Sequence, residues 1–269
     1  MNIGVFDSGL GGLTILKGFL KKLPQYNYIY LGDNARVPYG NRSAQLIYQF
    51  TQEAVDFLVK KNCSLIIIAC NTSTANALKK IQTEYLPKKY PQVKVLGVIR
   101  PTVEKVFEKK YQKIGVIATK ATVNSNAFKK EIKKFLPKAI VYQQACPLLV
   151  PYIEDSEKDK RVLKLLLANY LKSIKNKIEV LILGCTHYEI IKDQIQKEVG
   201  KIKVISQSEI VAESLKKYLS NHPEIEKKLE KKGQVQYFLT DFSLDYQRLI
   251  KKFLGRYFPN KNIHKVKLI

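Results

Sequence analysis

The sequence predicts an α/β fold of two similar domains, each built on a mainly parallel central sheet, with a cleft between them. Short β-rich runs alternate with helical stretches almost from end to end of its 269 residues, the pattern that strand-helix-strand units produce. The pattern then restarts. The run IGVIAT from residue 114 resembles IGVFDS from residue 3, and VLILGCTHY from residue 180 resembles LIIIACNTS from residue 65. Ile3 stands 67 residues before Cys70 and Ile114 stands 71 before Cys185, so each half presents one cysteine at the same structural position. No low-complexity linker separates the halves, which favours a tight body over independent beads.

Taken in order, residues 3–6 read as a strand. Leu13, Leu16, Leu20 and Leu23 then recur at helical spacing until Pro24 stops the helix. A strand over 28–31 follows. Ser43 caps a helix whose apolar stripe runs through Leu46, Phe50, Ala54, Phe57 and Leu58. Residues 65–69 are a buried strand, and 93–98 closes this set. The second half opens on the strand at 113 and carries a strand that ends at Cys185. After Ile205 come a helix over 208–219, a charged segment with HPE at 222–224, a strand over 235–239, another helix and a short strand near 263–269.

With 45% hydrophobic and 26% charged residues the chain can bury a real core. Its longest apolar run, around 65–70, is far shorter than a membrane span, and its opening residues carry no basic export region. A cytoplasmic protein without a membrane partner is therefore expected. The net charge of +24 raises the possibility of a nucleic-acid partner. Only six of the 47 basic residues are arginines, the residue type that reads and stacks on bases. The lysines are spread in pairs along helix faces without aromatic interleaving, so a solvated surface is expected and no nucleic acid.

The four cysteines, 63, 70, 146 and 185, show no C-x-x-C spacing, so neither a metal site nor a disulfide framework is expected. Cys63 and Cys146 read as core packing. Cys70 and Cys185 differ, because both fall just past the carboxyl end of a strand, where open parallel sheets bind ligands and helix N-termini favour anions. A thiol there can ionise more readily than a free one, and His187 is two residues from Cys185. Two opposed thiols suit one reaction: one thiolate removes a proton from a carbon acid and the other thiol returns a proton to the opposite face. A cysteine protease arrangement leaves the second cysteine unexplained. Asp7 and Ser8 end the first strand and should share the crevice of Cys70, although the glycines of DSGLGG would equally serve a plain strand-to-helix turn. A turn-rich segment predicts a loop over the same edge that carries Asp33, Arg36, Tyr39 and Gly40. His222 and His264 receive no role.

Taken together, IGVFDSGLGGLT at 3–14, YLGDNARVPYG at 30–40, ACNTSTA at 69–75, GVIRP at 97–101, ATKATVNSNA at 118–127, ACPLLVPYIE at 145–154 and LGCTHY at 183–188 resemble the glutamate racemases of the aspartate/glutamate racemase superfamily. The resemblance implies two α/β domains, 1–98 plus 208–269 and 99–207, with the active site in the cleft between them. It implies Cys70 and Cys185 as acid/base thiols, each serving one enantiomer, with Asp7 and His187 assisting proton transfer. Asp7, Ser8, Tyr39, Gly40, Asn71, Thr72, Thr186 and His187 would hold the substrate, with Thr119, Thr122 and Glu154 as further candidates. It further implies no cofactor and no metal, glutamate as the small-molecule substrate, a homodimer, and D-glutamate made for peptidoglycan synthesis. Spacing alone does not separate glutamate from aspartate. Two residues depart from the family pattern: Glu189, where proline is usual, expected to face solvent, and Arg100, where glutamate is common.

Overall fold

The computed structural model describes residues 1–155, 159–258 and 262–268. In the first half, strands β1 (Asn2–Asp7), β2 (Tyr28–Gly32), β3 (Cys63–Ile68) and β4 (Lys94–Gly97) lie in the order β2-β1-β3-β4. In the second, β5 (Lys113–Ala118), β6 (Ile140–Ala145), β7 (Val180–Gly184) and β8 (Lys203–Ile205) lie in the order β6-β5-β7-β8. The two arrangements are the same, and every pairing described is parallel. The repeat legible in IGVFDS and IGVIAT is thus a repeat of topology, with β1 and β5 as corresponding central strands.

The central strands are continuous apolar runs because helices cover both faces of a parallel sheet. Ile3, Val5, Ile66, Ile68, Val116 and Ile182 are completely enclosed. The chain returns from the second sheet through helix Ser208–Asn221, which packs along helix Leu13–Lys22, and then adds β9 (Val235–Leu239) and β10 (Ile263–Lys265) to the first sheet beside β2. No helix of the described residues is long and apolar enough to cross a membrane.

Two readings are corrected and one strand is added. Helix Ala44–Lys60 is capped by Ser43, which accepts from Leu46 N–H, but its fully buried line is Ile47, Thr51, Ala54, Val55 and Leu58. Leu46, Phe50 and Phe57 are half-buried, because Phe50 supports Tyr39 and Phe57 supports Phe238 at the flanks of the helix. The edge strand β6 went unread in the sequence: its IVYQQA text is only half-buried and lacks a doubly buried apolar run. The strand near 263–269 is confined to Ile263–Lys265, and Ile269 lies outside the described residues.

Candidate functional site

Cys70 and Cys185 follow β3 and β7, the corresponding strands of the two sheets. Cys70 is the N-cap of helix Asn71–Asn76, its sulfur accepting from Ser73 N–H at 3.4 Å. Ser8 Oγ, at the end of β1, lies 3.2 Å from the same sulfur. Burial, then the nearby Asp7 charge, push the Cys70 thiol up to about 11, against Ser8 and Ser73, which favour the thiolate. Burial also raises the Asp7 carboxyl above its ordinary range, opposed by the positive charge of His187 and by the N–H groups of Gly9 and Gly12.

Cys185 stands beside His187, with Sγ and Nδ1 4.0 Å apart. The other ring nitrogen of His187 is 2.7 Å from Glu154 Oε1. Burial disfavours the imidazolium, yet its hydrogen bond to Cys185 and then the Glu154 carboxylate outweigh it and push His187 up to about 10. Asp7 thus stands beside one thiol and His187 beside the other. The two groups meet where Thr186 Oγ1 reaches Asp7 Oδ2 at 3.5 Å.

The loops of the first half lie directly against the second. A Cβ on Gly11 would fall 2.3 Å from both His187 Nδ1 and Thr186 Oγ1, so only glycine allows that approach. Gly40 abuts the Thr119 side chain in the same way. Thr72 Oγ1 is 2.8 Å from Thr119 Oγ1 and 3.3 Å from Thr122 Oγ1, a hydroxyl cluster that closes the seam. Asp7, Cys70 and Cys185 are 1%, 5% and 8% exposed, so the site is closed. Two surface cavities, of about 390 and 530 Å³, lie elsewhere, at the β4 edge beside Leu86 and Tyr218 and near β10 beside Arg36 and Lys265. Neither is lined by a cysteine, and the chemistry of the cysteine cluster outweighs their size.

Two expected substrate residues are engaged elsewhere in this closed form. The Tyr39 hydroxyl donates to Asp33, a fully buried carboxylate that also accepts from Arg36 Nε at 2.6 Å and Thr240 Oγ1 at 3.0 Å. The Asn71 side chain exchanges hydrogen bonds with Gln207, Nδ2 to Oε1 at 2.6 Å and Nε2 to Oδ1 at 3.1 Å. Gln207 also donates to Val98 O at 3.4 Å and to Thr102 Oγ1 at 3.0 Å. It was missed in the sequence, where a lone glutamine before a helix carries no signal. Glu189 does not face solvent as expected: it accepts from Ser208 N–H at 3.3 Å and from the Ser208 hydroxyl, and burial raises its carboxyl above the ordinary range. The free amide at the start of helix Ser208–Asn221 draws the carboxylate inward. Arg100 is exposed and pairs with Glu104 at 3.0 Å, away from both cysteines.

Comparison with known proteins agrees with this geometry. The sequence model of the Asp/Glu/Hydantoin racemase family matches residues 14–215. The glutamate racemase of Aquifex aeolicus is 41% identical over 256 residues, covering 95% of this chain and 94% of that protein. Among solved structures, the glutamate racemase of Francisella tularensis in complex with D-glutamate is 36% identical with a TM-score of 0.89, covering 99% of this chain and 97% of that one. The glutamate racemase of Aquifex pyrophilus is 38% identical with a TM-score of 0.79, covering 98% of both chains. With two like-ordered parallel sheets and a cysteine after the third strand of each, this chain belongs to the Asp/Glu/Hydantoin racemase family.

Proposed function

We propose that this protein interconverts L- and D-glutamate by proton transfer at the α-carbon between Cys70 and Cys185. The observation that supports this most is the pair of buried cysteines after corresponding strands, joined through Asp7 and Thr186. In this reading a thiolate takes the α-proton, leaving a carbanion, and the opposite thiol delivers a proton to the other face. Each turnover then leaves the two sulfurs with exchanged protonation states.

The surroundings of the sulfurs support distinct roles for their neighbours. An ionised Asp7 opposes the Cys70 thiolate. A substrate ammonium group placed beside Asp7 would cancel that charge and ease deprotonation of Cys70. His187, held by Glu154, supplies the corresponding positive charge beside Cys185. Ser8 stands beside the Cys70 sulfur, Thr186 reaches Asp7, Thr72 closes the seam with Thr119, and Gly40, after Tyr39, abuts Thr119. Because the site is closed, the two halves, 1–98 with 208–269 and 99–207, must part for the substrate to enter. The reading needs no cofactor and no metal. It takes free glutamate as the partner, with neither nucleic acid nor membrane, in a cytoplasmic homodimer supplying D-glutamate to peptidoglycan synthesis.

The test is the circular dichroism of L-glutamate, and separately of L-aspartate, incubated with dialysed, chelator-treated protein. Decay of the glutamate signal to zero is expected. Decay with aspartate alone would assign the sister substrate, and a stable signal with both would overturn the reading.

A further inference from the structure

We propose that Ser73 is a further catalytic residue, its buried hydroxyl serving as a hydrogen-bond donor to the Cys70 sulfur once that sulfur has lost its proton. The inference rests on the two-thiol reading above.

Ser73 is completely buried, and its Oγ has no hydrogen-bond partner among the described residues. Buried hydroxyls are nearly always paired, so an unpaired one beside a reactive group calls for a reason. Its position supplies one. Cys70 is the N-cap of helix Asn71–Asn76 and Ser73 is the third residue of that helix, the place from which a side chain reaches back to the capping residue. The Ser73 N–H already donates to Cys70 Sγ at 3.4 Å, and Ser8 Oγ stands 3.2 Å from the same sulfur. The Ser73 hydroxyl stands outside hydrogen-bond geometry to the sulfur in this form, yet it is near enough to favour the thiolate.

A thiol is a weak acceptor and needs few donors, whereas a thiolate accepts several hydrogen bonds and gains most from donors in a dry site. Rotation of one hydroxyl would complete a set of three: Ser8 O–H, Ser73 N–H and Ser73 O–H. The resting fold thus leaves unused a donor that the charged sulfur needs during proton abstraction.

A purely structural serine and a catalytic one predict opposite results for Ser73→Ala. An unpaired buried hydroxyl contributes nothing that alanine lacks, so the thermal midpoint should hold or rise. The Cys70 titration, followed by thiolate ultraviolet absorbance as the difference between proteins with and without Cys70→Ala, should move up by about one pH unit. The value of kcat/KM should fall about tenfold, equally from L- and D-glutamate, because enantiomers have an equilibrium constant of unity. Ser73→Gly, also without the hydroxyl, should give the same shift. An unchanged Cys70 titration in a folded variant overturns the proposal, whether or not kcat/KM falls. Thiol titration does not depend on turnover: a wild-type protein that racemises nothing would sink the functional reading, while an unmoved titration in an active enzyme would sink the role of Ser73 alone.

Discussion

At the scale of single residues, the site is set by which charge each buried group faces. His187 has its ordinary value of 6.5 raised to about 10 in the fold; burial opposes the cation, and Cys185 and Glu154 more than compensate. The folded value lies above the unfolded one, so the stabilisation is present in full below pH 6.5 and is lost as pH rises through about 10. The difference in urea unfolding free energy between wild type and His187→Gln should therefore be largest below pH 6.5 and shrink steadily toward pH 10. A difference independent of pH would show that folding leaves the His187 value unshifted, and one that shrinks as pH falls through 6.5 would show that His187 is neutral in the fold. Asp7, Ser8, Cys70, Thr186 and His187 could be picked out in the sequence because each lies within three residues of a strand end. Asp33 stood out only as part of a loop, since its role depends on Thr240, which is 207 residues away.

Among the elements, the return crossover between the sheets couples the two cysteine segments. Gln207 holds Asn71, the residue after Cys70, and its neighbour Ser208 holds Glu189, four residues past Cys185. Gln207 also ties in Val98 and Thr102, where the chain first crosses to the second sheet. Adjacent residues of one segment thereby fix the helix start behind each sulfur. Gln207→Leu leaves the Asn71 amide without its partner in a buried site, which should lower unfolding stability by about 1–3 kcal/mol. It should also reduce kcat more than Gln196→Ala, whose amide serves carbonyls at Gly200 and Ile202. Equal kcat in the two variants would contradict the coupling. Strands β1, β3 and β7 were legible because burial on both faces makes them unbroken apolar runs; edge strand β6 was not, because half-burial leaves Gln143 and Gln144 in its text. The contacts of Gln207 link residues more than 100 apart, a separation that no local pattern encodes.

For the whole molecule, the charge of +24 belongs to the scaffold. Among the described residues no lysine is buried, and only Lys175 and Lys192 are half-buried. The duplicated architecture could be read from two short strand texts and two cysteine spacings, whereas the way its halves close on each other depends on Gly11, Gly40 and the threonine cluster, which sequence shows only as turn and cap residues. The central claim is that this symmetry places one acid/base thiol on each side of a single substrate carbon. Its most direct test is racemisation of L-glutamate in deuterated water by the wild type, Cys70→Ser and Cys185→Ser, with circular dichroism for inversion and mass spectrometry for deuterium at the α-carbon. The account predicts inversion with one deuterium gained in the wild type, and a loss of at least about a hundredfold in inversion rate in each variant. Inversion at the wild-type rate in either variant would contradict it.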